Sequence, residues 1–217
     1  MKPFIEPLIL YSVLFFRIST GIMIPDRAVE FSATAEMARM ILYTVPSLAL
    51  VWYLLLRVKS LKEWGITLPH KNDVFPALLS FPSLVLIGLL ISFIAPFLDG
   101  IPGGPHFLPP QTVIAWIVLV LSCISSAYLE ESFFRFYLLS KRKEMGLGPH
   151  RAVLVSTLLF SLCHIYGGPW AFLNAALAGI LLAFIFLRWR SLHGIAIAHA
   201  LYNIVVYSIG SIQWPGS

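Results

Sequence analysis

The chain has 217 residues, of which 59% are hydrophobic and 12% are charged, and its formal net charge is +5. A soluble domain carries about 25% charged residues, so the composition excludes an ordinary soluble protein and indicates an integral membrane protein. The basic residues form no run with interleaved aromatic residues, so the positive charge does not indicate a nucleic-acid partner.

Seven apolar segments follow one another along the chain, each close to the ~20 residues that a helix needs to cross a bilayer. They cover about residues 7–24, 37–56, 74–98, 112–140, 151–167, 169–187 and 194–212. Residues 59–73 alternate apolar and charged side chains, which suits a short segment at the cytoplasmic membrane interface, with a solvated loop as the alternative. Residues 99–111 contain four prolines and three glycines and predict an external loop. The sequence therefore predicts an all-α bundle of about seven transmembrane helices in one domain, residues 1–217.

Lysine and arginine are distributed unequally between the two ends of these segments. Most of the 15 basic residues fall at the N-terminus or in alternate loops: Lys2, Arg57, Lys59, Lys62, Lys71, Lys141, Arg142, Lys143, Arg151, Arg188 and Arg190. The opposite end has only Arg27 and Arg39. Because Lys and Arg are retained in cytoplasmic loops, we expect the N-terminus in the cytoplasm. The short chain favours a prokaryotic plasma membrane.

The fourth segment contains three charged residues, Glu130, Glu131 and Arg135, after eighteen residues without any charge. Each charge near the bilayer centre costs about 2.5–3.5 kcal/mol on insertion scales, so the group indicates a functional site. On a helix, Glu131 and Arg135 lie one turn apart and are expected to form an ion pair. Glu130 is turned about 100° away, which leaves it free to face a pocket and act as a general base.

Four other polar residues lie inside apolar segments, namely His164, Asn174, His199 and Asn203. His199 and Asn203 share a helix face one turn apart, and Asn174 is expected to form an interhelical hydrogen bond. At 1.5 Å per helical residue, the two histidines reach depths close to that of Glu130, so one pocket could contain all three.

Hydrolysis of a peptide bond needs a water molecule, a base and hydrogen-bond donors for the oxyanion. Glu130 with His164 could activate the water, and His199 with Asn203 could donate to the oxyanion. The same residue types also bind zinc, but the histidines lie singly on separate segments and no His-Glu-x-x-His is present, so metal is the weaker interpretation. The pair His199 and Asn203 could alternatively only join helices, and Glu131 with Arg135 could be only structural.

These residues resemble the motifs of the CAAX protease and bacteriocin-processing (CPBP, or Abi) family of intramembrane endopeptidases. The motifs read Glu130-Glu131-x-x-x-Arg135, Phe160-x-x-x-His164 and His199-x-x-x-Asn203, in the family's order. The similarity covers about residues 115–207. It implies a glutamate-dependent protease with a helical core open to the cytoplasm. In this family the first Glu and the Phe-x-x-x-His histidine activate water, and the last His and Asn stabilise the oxyanion.

The sequence accordingly predicts an endopeptidase that acts, without a cofactor, on a membrane-associated protein or peptide in the lipid bilayer. One alternative is a non-catalytic bacteriocin-immunity or scaffold protein that binds a partner through the same pocket. Another is a small transporter that carries protons on Glu130. Retention of every motif position disfavours the scaffold, and the lack of visible inverted repeats disfavours the transporter.

Overall fold

The structure is a computed structural model that describes residues 4–19, 28–66, 68–98 and 106–209. The described residues form seven helices: α1 (Ile5–Ser19), α2 (Ala33–Leu56), α3 (Lys71–Phe97), α4 (Val113–Ser140), α5 (Pro149–Leu162), α6 (Ile165–Trp189) and α7 (Leu192–Ile209). A two-residue parallel pairing also joins β1 (Ala28–Val29) to β2 (His106–Phe107). The predicted all-helical class is confirmed.

Five of the described helices, α2, α3, α4, α6 and α7, are long and apolar enough to cross a membrane. The described part of α1 has 15 residues and α5 has 14, both shorter than a full crossing. The predicted fifth segment, 151–167, is divided, because α5 ends at Leu162 and a turn at Cys163 and His164 leads into α6. The transmembrane character is therefore supported, whereas the count of seven spans and the cytoplasmic N-terminus stay predictions.

Two of the long helices contain a π-helical segment, Met40–Thr44 in α2 and Ser132–Tyr137 in α4. Insertions of this kind shift the register of a helix and are frequent at functional sites. The π-helical backbone of α4 is tied to α5, because the Ser156 hydroxyl donates to the carbonyl oxygen of Phe134 at 2.6 Å. The segment directly follows Glu130 and Glu131, so it sets the direction of the motif's side chains.

An aromatic core surrounds the π-helical segment of α4. Its members on α4 are fully buried, namely Phe133, Phe134, Phe136 and Tyr137. Tyr11 and Phe15 of α1 pack against this group, and the ring centroid of Phe15 lies 4.9 Å from that of Phe134. Large aromatic side chains dominate the packing energy of such a core, so this cluster holds α4 firmly beside the two carboxylates.

The beginning of α1 is joined to the end of α4. Glu6 accepts hydrogen bonds from the Lys141 ammonium, at 2.6 Å, and from the Tyr137 hydroxyl. The hydrogen bond from Lys141 is the main reason why the pKa of Glu6 lies below its ordinary value. The contact therefore fixes α1 against the basic end of the bundle.

Glycines allow two close helix contacts, one between α6 and α5 and one between α7 and α3. Gly179 of α6 faces α5, and a Cβ there would lie 3.1 Å from Thr157 Cγ2, which agrees with the Ala175/Gly179 small-residue pair in the sequence. Gly194 of α7 faces the start of α3, and a Cβ there would lie 2.6 Å from the Asp73 carbonyl oxygen. The second contact is with backbone and cannot relax by a side-chain rotation.

We expect Gly194→Ala to lower the free energy of unfolding by about 1–3 kcal/mol, because the new methyl group overpacks the contact between α7 and α3. The matched control is Gly148→Ala, since a Cβ at Gly148 meets nothing within 4 Å. Thermal unfolding in detergent measures both. A melting temperature for Gly194→Ala equal to that of the control would contradict this account of the packing.

Candidate active site

The buried charges of α4 begin with an ion pair. Arg135 Nε lies 3.2 Å from Glu131 Oε2, and both side chains are 0% exposed. Nη2 of Arg135 donates a hydrogen bond to the carbonyl oxygen of Gly179 on α6, at 3.4 Å. The pairing expected from their one-turn spacing is present, and it balances the charge of Glu131 inside the bundle.

Phe160 of α5 lies at the centre of the candidate site. The guanidinium carbon of Arg135 stands 4.3 Å from the centroid of its ring. The ring of His164 lies 4.7 Å away and that of His199 lies 5.9 Å away, edge to face. Phe160 is 1% exposed. It therefore packs against the arginine and both histidines and limits how far each can move.

His199 lies between the two glutamates. Its Nδ1 is 2.9 Å from Glu131 Oε1, and its Nε2 is 3.7 Å from Glu130 Oε2. Because an ionised carboxylate only accepts hydrogen bonds, Nδ1–H donates to Glu131. Glu131 thus uses one oxygen for Arg135 and the other for His199, a second contact that the sequence did not predict. The sequence contains no signal for this contact, because the contact depends on how α7 packs against α4.

Glu130 is the carboxylate that the protein leaves available. Its side chain is 21% exposed, and Oε2 is buried without a hydrogen-bond partner among the described residues. A buried polar atom without a partner is unfavourable, so such atoms are concentrated where a ligand or reactant binds. Glu131 is engaged by Arg135 and His199, whereas the expectation that Glu130 faces a pocket stays a prediction.

His164 lies in the turn between α5 and α6, not inside a membrane span as predicted from the sequence. Its Nδ1 is 2.9 Å from the carbonyl oxygen of Phe160. Since a carbonyl only accepts, Nδ1 carries the hydrogen, and Nε2 of the neutral ring is an acceptor. His164 and Glu130 also interact electrostatically, so the structure brings them to the same region.

The two asparagines behave differently. Asn203 is half-buried, one turn beyond His199 on α7, and makes no hydrogen bond with another described residue. Asn174 accepts a hydrogen bond from the Tyr202 hydroxyl at 3.1 Å, which joins α6 to α7. The interhelical hydrogen bond expected for Asn174 is therefore confirmed, and the oxyanion role of Asn203 stays a prediction.

Comparison with protein families gives a match over residues 112–205 to the Rce1-like family, described as type II CAAX prenyl endopeptidase Rce1-like. Residues 112–205, somewhat less than half of the chain, are similar to this family. Comparisons with curated proteins and with solved structures give no match. The Rce1-like segment contains every residue of the three sequence motifs, so the predicted resemblance is confirmed.

Helices α1 to α3 lie outside the Rce1-like segment, yet they contact it beside the site. The Trp52 indole of α2 donates to the Ser132 hydroxyl at 2.9 Å. Arg39 and Tyr43 of α2 interact electrostatically with Glu130. These α2 residues were not among the predicted site residues, because no motif marks them and only the tertiary structure brings them close.

The histidine and acidic side chains of the described residues form no group of three or more that could hold a metal ion. The prediction that the site works without a cofactor is not tested by this finding, and zinc stays the weaker alternative. Both cysteines, Cys123 and Cys163, are buried thiols and form no disulfide.

Proposed function

We propose that the chain is an intramembrane endopeptidase that hydrolyses a peptide bond in a prenylated, membrane-associated protein or peptide. The observation that carries this proposal is the position of His199 between an engaged carboxylate, Glu131, and an available one, Glu130. The family of residues 112–205 supports a CAAX-type peptidase, and five apolar helices support its place in the membrane. The predicted topology supports a pocket that opens to the cytoplasm.

In the proposed reaction, Glu130 acts as the general base. Its carboxylate takes a proton from a water molecule while the water oxygen attacks the peptide carbonyl carbon. Nε2 of His164 accepts the second hydrogen of that water and so orients it. The proton held by Glu130 then passes to the nitrogen of the departing amine as the C–N bond breaks, which gives a carboxylic acid and an amine. The carboxylic acid still carries the second hydrogen of the water, and loss of that proton to the amine gives a carboxylate and an ammonium.

The oxyanion formed by this attack needs hydrogen-bond donors that are already in place. We assign this role to His199 and Asn203, which follow each other on one face of α7. Nδ1 of His199 donates to Glu131, so donation to the oxyanion from Nε2 requires a ring protonated at both nitrogens. Such a ring has the Glu131 carboxylate 2.9 Å from Nδ1 and the Glu130 carboxylate 3.7 Å from Nε2.

The proposal is tested by purifying the full chain, reconstituting it into phospholipid vesicles and adding a fluorescent peptide that ends in farnesyl-Cys-Val-Ile-Met. Mass spectrometry of the products is expected to show one internal cleavage. The same peptide is added after treatment with 1,10-phenanthroline, and activity is expected to persist. Loss of activity that zinc restores would replace this mechanism by the zinc version, and an intact peptide would contradict the proposed function.

A further inference from the structure

A polar cluster lies on the side of Glu130 away from the basic end of the bundle. It consists of Glu36 and Arg39 of α2 with Ser122 and Ser126 of α4, and we call it the arginine cluster. Arg39 donates to Glu36 Oε2 from Nε at 2.9 Å and from Nη2 at 2.7 Å. Nη2 also reaches the hydroxyls of Ser122, at 2.7 Å, and Ser126, at 3.2 Å. None of these residues belongs to the motifs used in the mechanism.

The arginine cluster is built to hold a carboxylate. The Ser122 hydroxyl donates to Glu36 Oε2 at 2.8 Å, so one carboxylate oxygen receives hydrogen bonds from both a guanidinium and a hydroxyl. Charge-assisted contacts of this kind are the strong hydrogen bonds of proteins, and arginine is the side chain best shaped for carboxylates. The contact with Glu36 therefore shows that the donors of the cluster bind a carboxylate.

Donor capacity remains in the cluster. Nη1 of Arg39 has only a 3.5 Å contact with Thr44 Oγ1, and the Ser126 hydroxyl donates to no described residue. The side chain of Arg39 is 40% exposed and that of Glu36 is 29% exposed, so a molecule entering the site can reach both. A second carboxylate can approach Nη1 and Ser126, or can displace Glu36.

The cluster is aligned with the proposed base. Ser122, Ser126 and Glu130 are spaced four residues apart, so they lie along one face of α4, each about 6 Å further along the helix axis. Arg39 contacts both serines, which places its guanidinium about 6–12 Å along α4 from Glu130. An extended peptide advances ~3.3–3.6 Å per residue, so this interval holds about two to four residues.

We propose that Arg39, with Ser122 and Ser126, binds the C-terminal carboxylate of the substrate. Glu36 holds the guanidinium in position until the substrate carboxylate arrives. This inference rests on the proposed function, since it assigns a specificity-determining residue to the same site. It gives α2, which lies outside the family match, a defined role in substrate selection.

Binding is measured first, in the Glu130→Gln protein, so that the peptide is not consumed. The probes are the fluorescent farnesyl-Cys-Val-Ile-Met peptide with a free C-terminal acid and the same peptide as a C-terminal amide. We expect the acid to bind at least about 10-fold more tightly than the amide, as is usual for a charge-assisted contact. Adding Arg39→Gln should remove this preference, whereas the control Arg188→Gln, exposed at the end of α6, should retain it.

Glu36→Gln separates substrate binding from a purely structural tie between α2 and α4. If Glu36 competes with the substrate for Arg39, its neutral amide should leave acid binding as tight or make it tighter. A structural tie alone predicts that Glu36→Gln and Arg39→Gln weaken acid and amide binding equally. That equal loss, or equal binding of acid and amide before Arg39 is changed, would overturn the inference.

Cleavage provides the second readout and tests the proposed function separately. The protein with Glu130 intact is expected to release a fragment of two to four residues from the acid and to cleave the amide more slowly. Arg39→Gln should raise KM for the acid only. A preference for the acid in binding without any cleavage would overturn the proposed function and leave the carboxylate site standing. Cleavage without any preference for the acid would overturn the carboxylate site and leave the proposed function standing.

Discussion

Glu130→Gln is expected to lower kcat for cleavage of a farnesylated peptide by about 10²–10⁴-fold, the range that a positioned general base contributes. The amide of Gln keeps the size of the side chain but cannot take up a proton from water. Because Glu130 Oε2 has no hydrogen-bond partner among the described residues, the substitution breaks no described hydrogen bond. The folded state and the affinity for the peptide should therefore change little.

The matched control is Glu63→Gln. Glu63 is exposed in the segment after α2, and it accepts hydrogen bonds from Ser60 rather than from any residue of the site. Its kcat and KM should equal those of the unmodified protein. If Glu63→Gln loses as much activity as Glu130→Gln, the loss comes from a general effect of removing a negative charge, and the role given to Glu130 is wrong.

Arg135→Met is expected to lower the free energy of unfolding by about 3–5 kcal/mol, since it leaves the Glu131 carboxylate buried without its cation. Arg135 and Glu131 are both 0% exposed, so solvent cannot replace the lost partner. Thermal unfolding in detergent measures the effect. Activity should fall as well, because Glu131 also positions His199 through a 2.9 Å contact.

Two further variants separate the buried charge from the lost packing. The double variant Arg135→Met with Glu131→Gln removes the uncompensated charge and should recover part of the lost stability without recovering activity. Arg188→Met, at an exposed position, should stay within about 0.5 kcal/mol of the parent. A melting temperature of Arg135→Met equal to that of Arg188→Met would show that the ion pair contributes nothing to the fold.

Local sequence was enough to predict the helices and one part of the site. Apolar runs of about 20 residues mark the long helices directly, because a crossing helix has to be apolar along its length. The ion pair of Glu131 with Arg135 follows from a spacing of one helical turn. The interhelical role of Asn174 follows from the cost of an unsatisfied amide among apolar side chains.

Contacts between distant helices could not be predicted in the same way. The position of His199 between two glutamates depends on the packing of α7 against α4. The position of α7 depends in turn on its close contact with α3 at Gly194. His164 was assigned to a span because its neighbours are apolar, although α5 ends two residues earlier. Arg39 was interpreted only as a charge at the less basic end, since its serine partners lie more than 80 residues away in the chain.

Whether Glu130 is the base is tested by measuring peptide binding and cleavage in parallel, for the parent protein and for Glu130→Gln in the same vesicles. We expect both proteins to bind the farnesylated peptide with similar affinity and only the parent to produce a cleaved fragment. Cleavage by Glu130→Gln at the parent's rate would contradict this expectation, because the carboxylate assigned as the base would then take no part in the reaction.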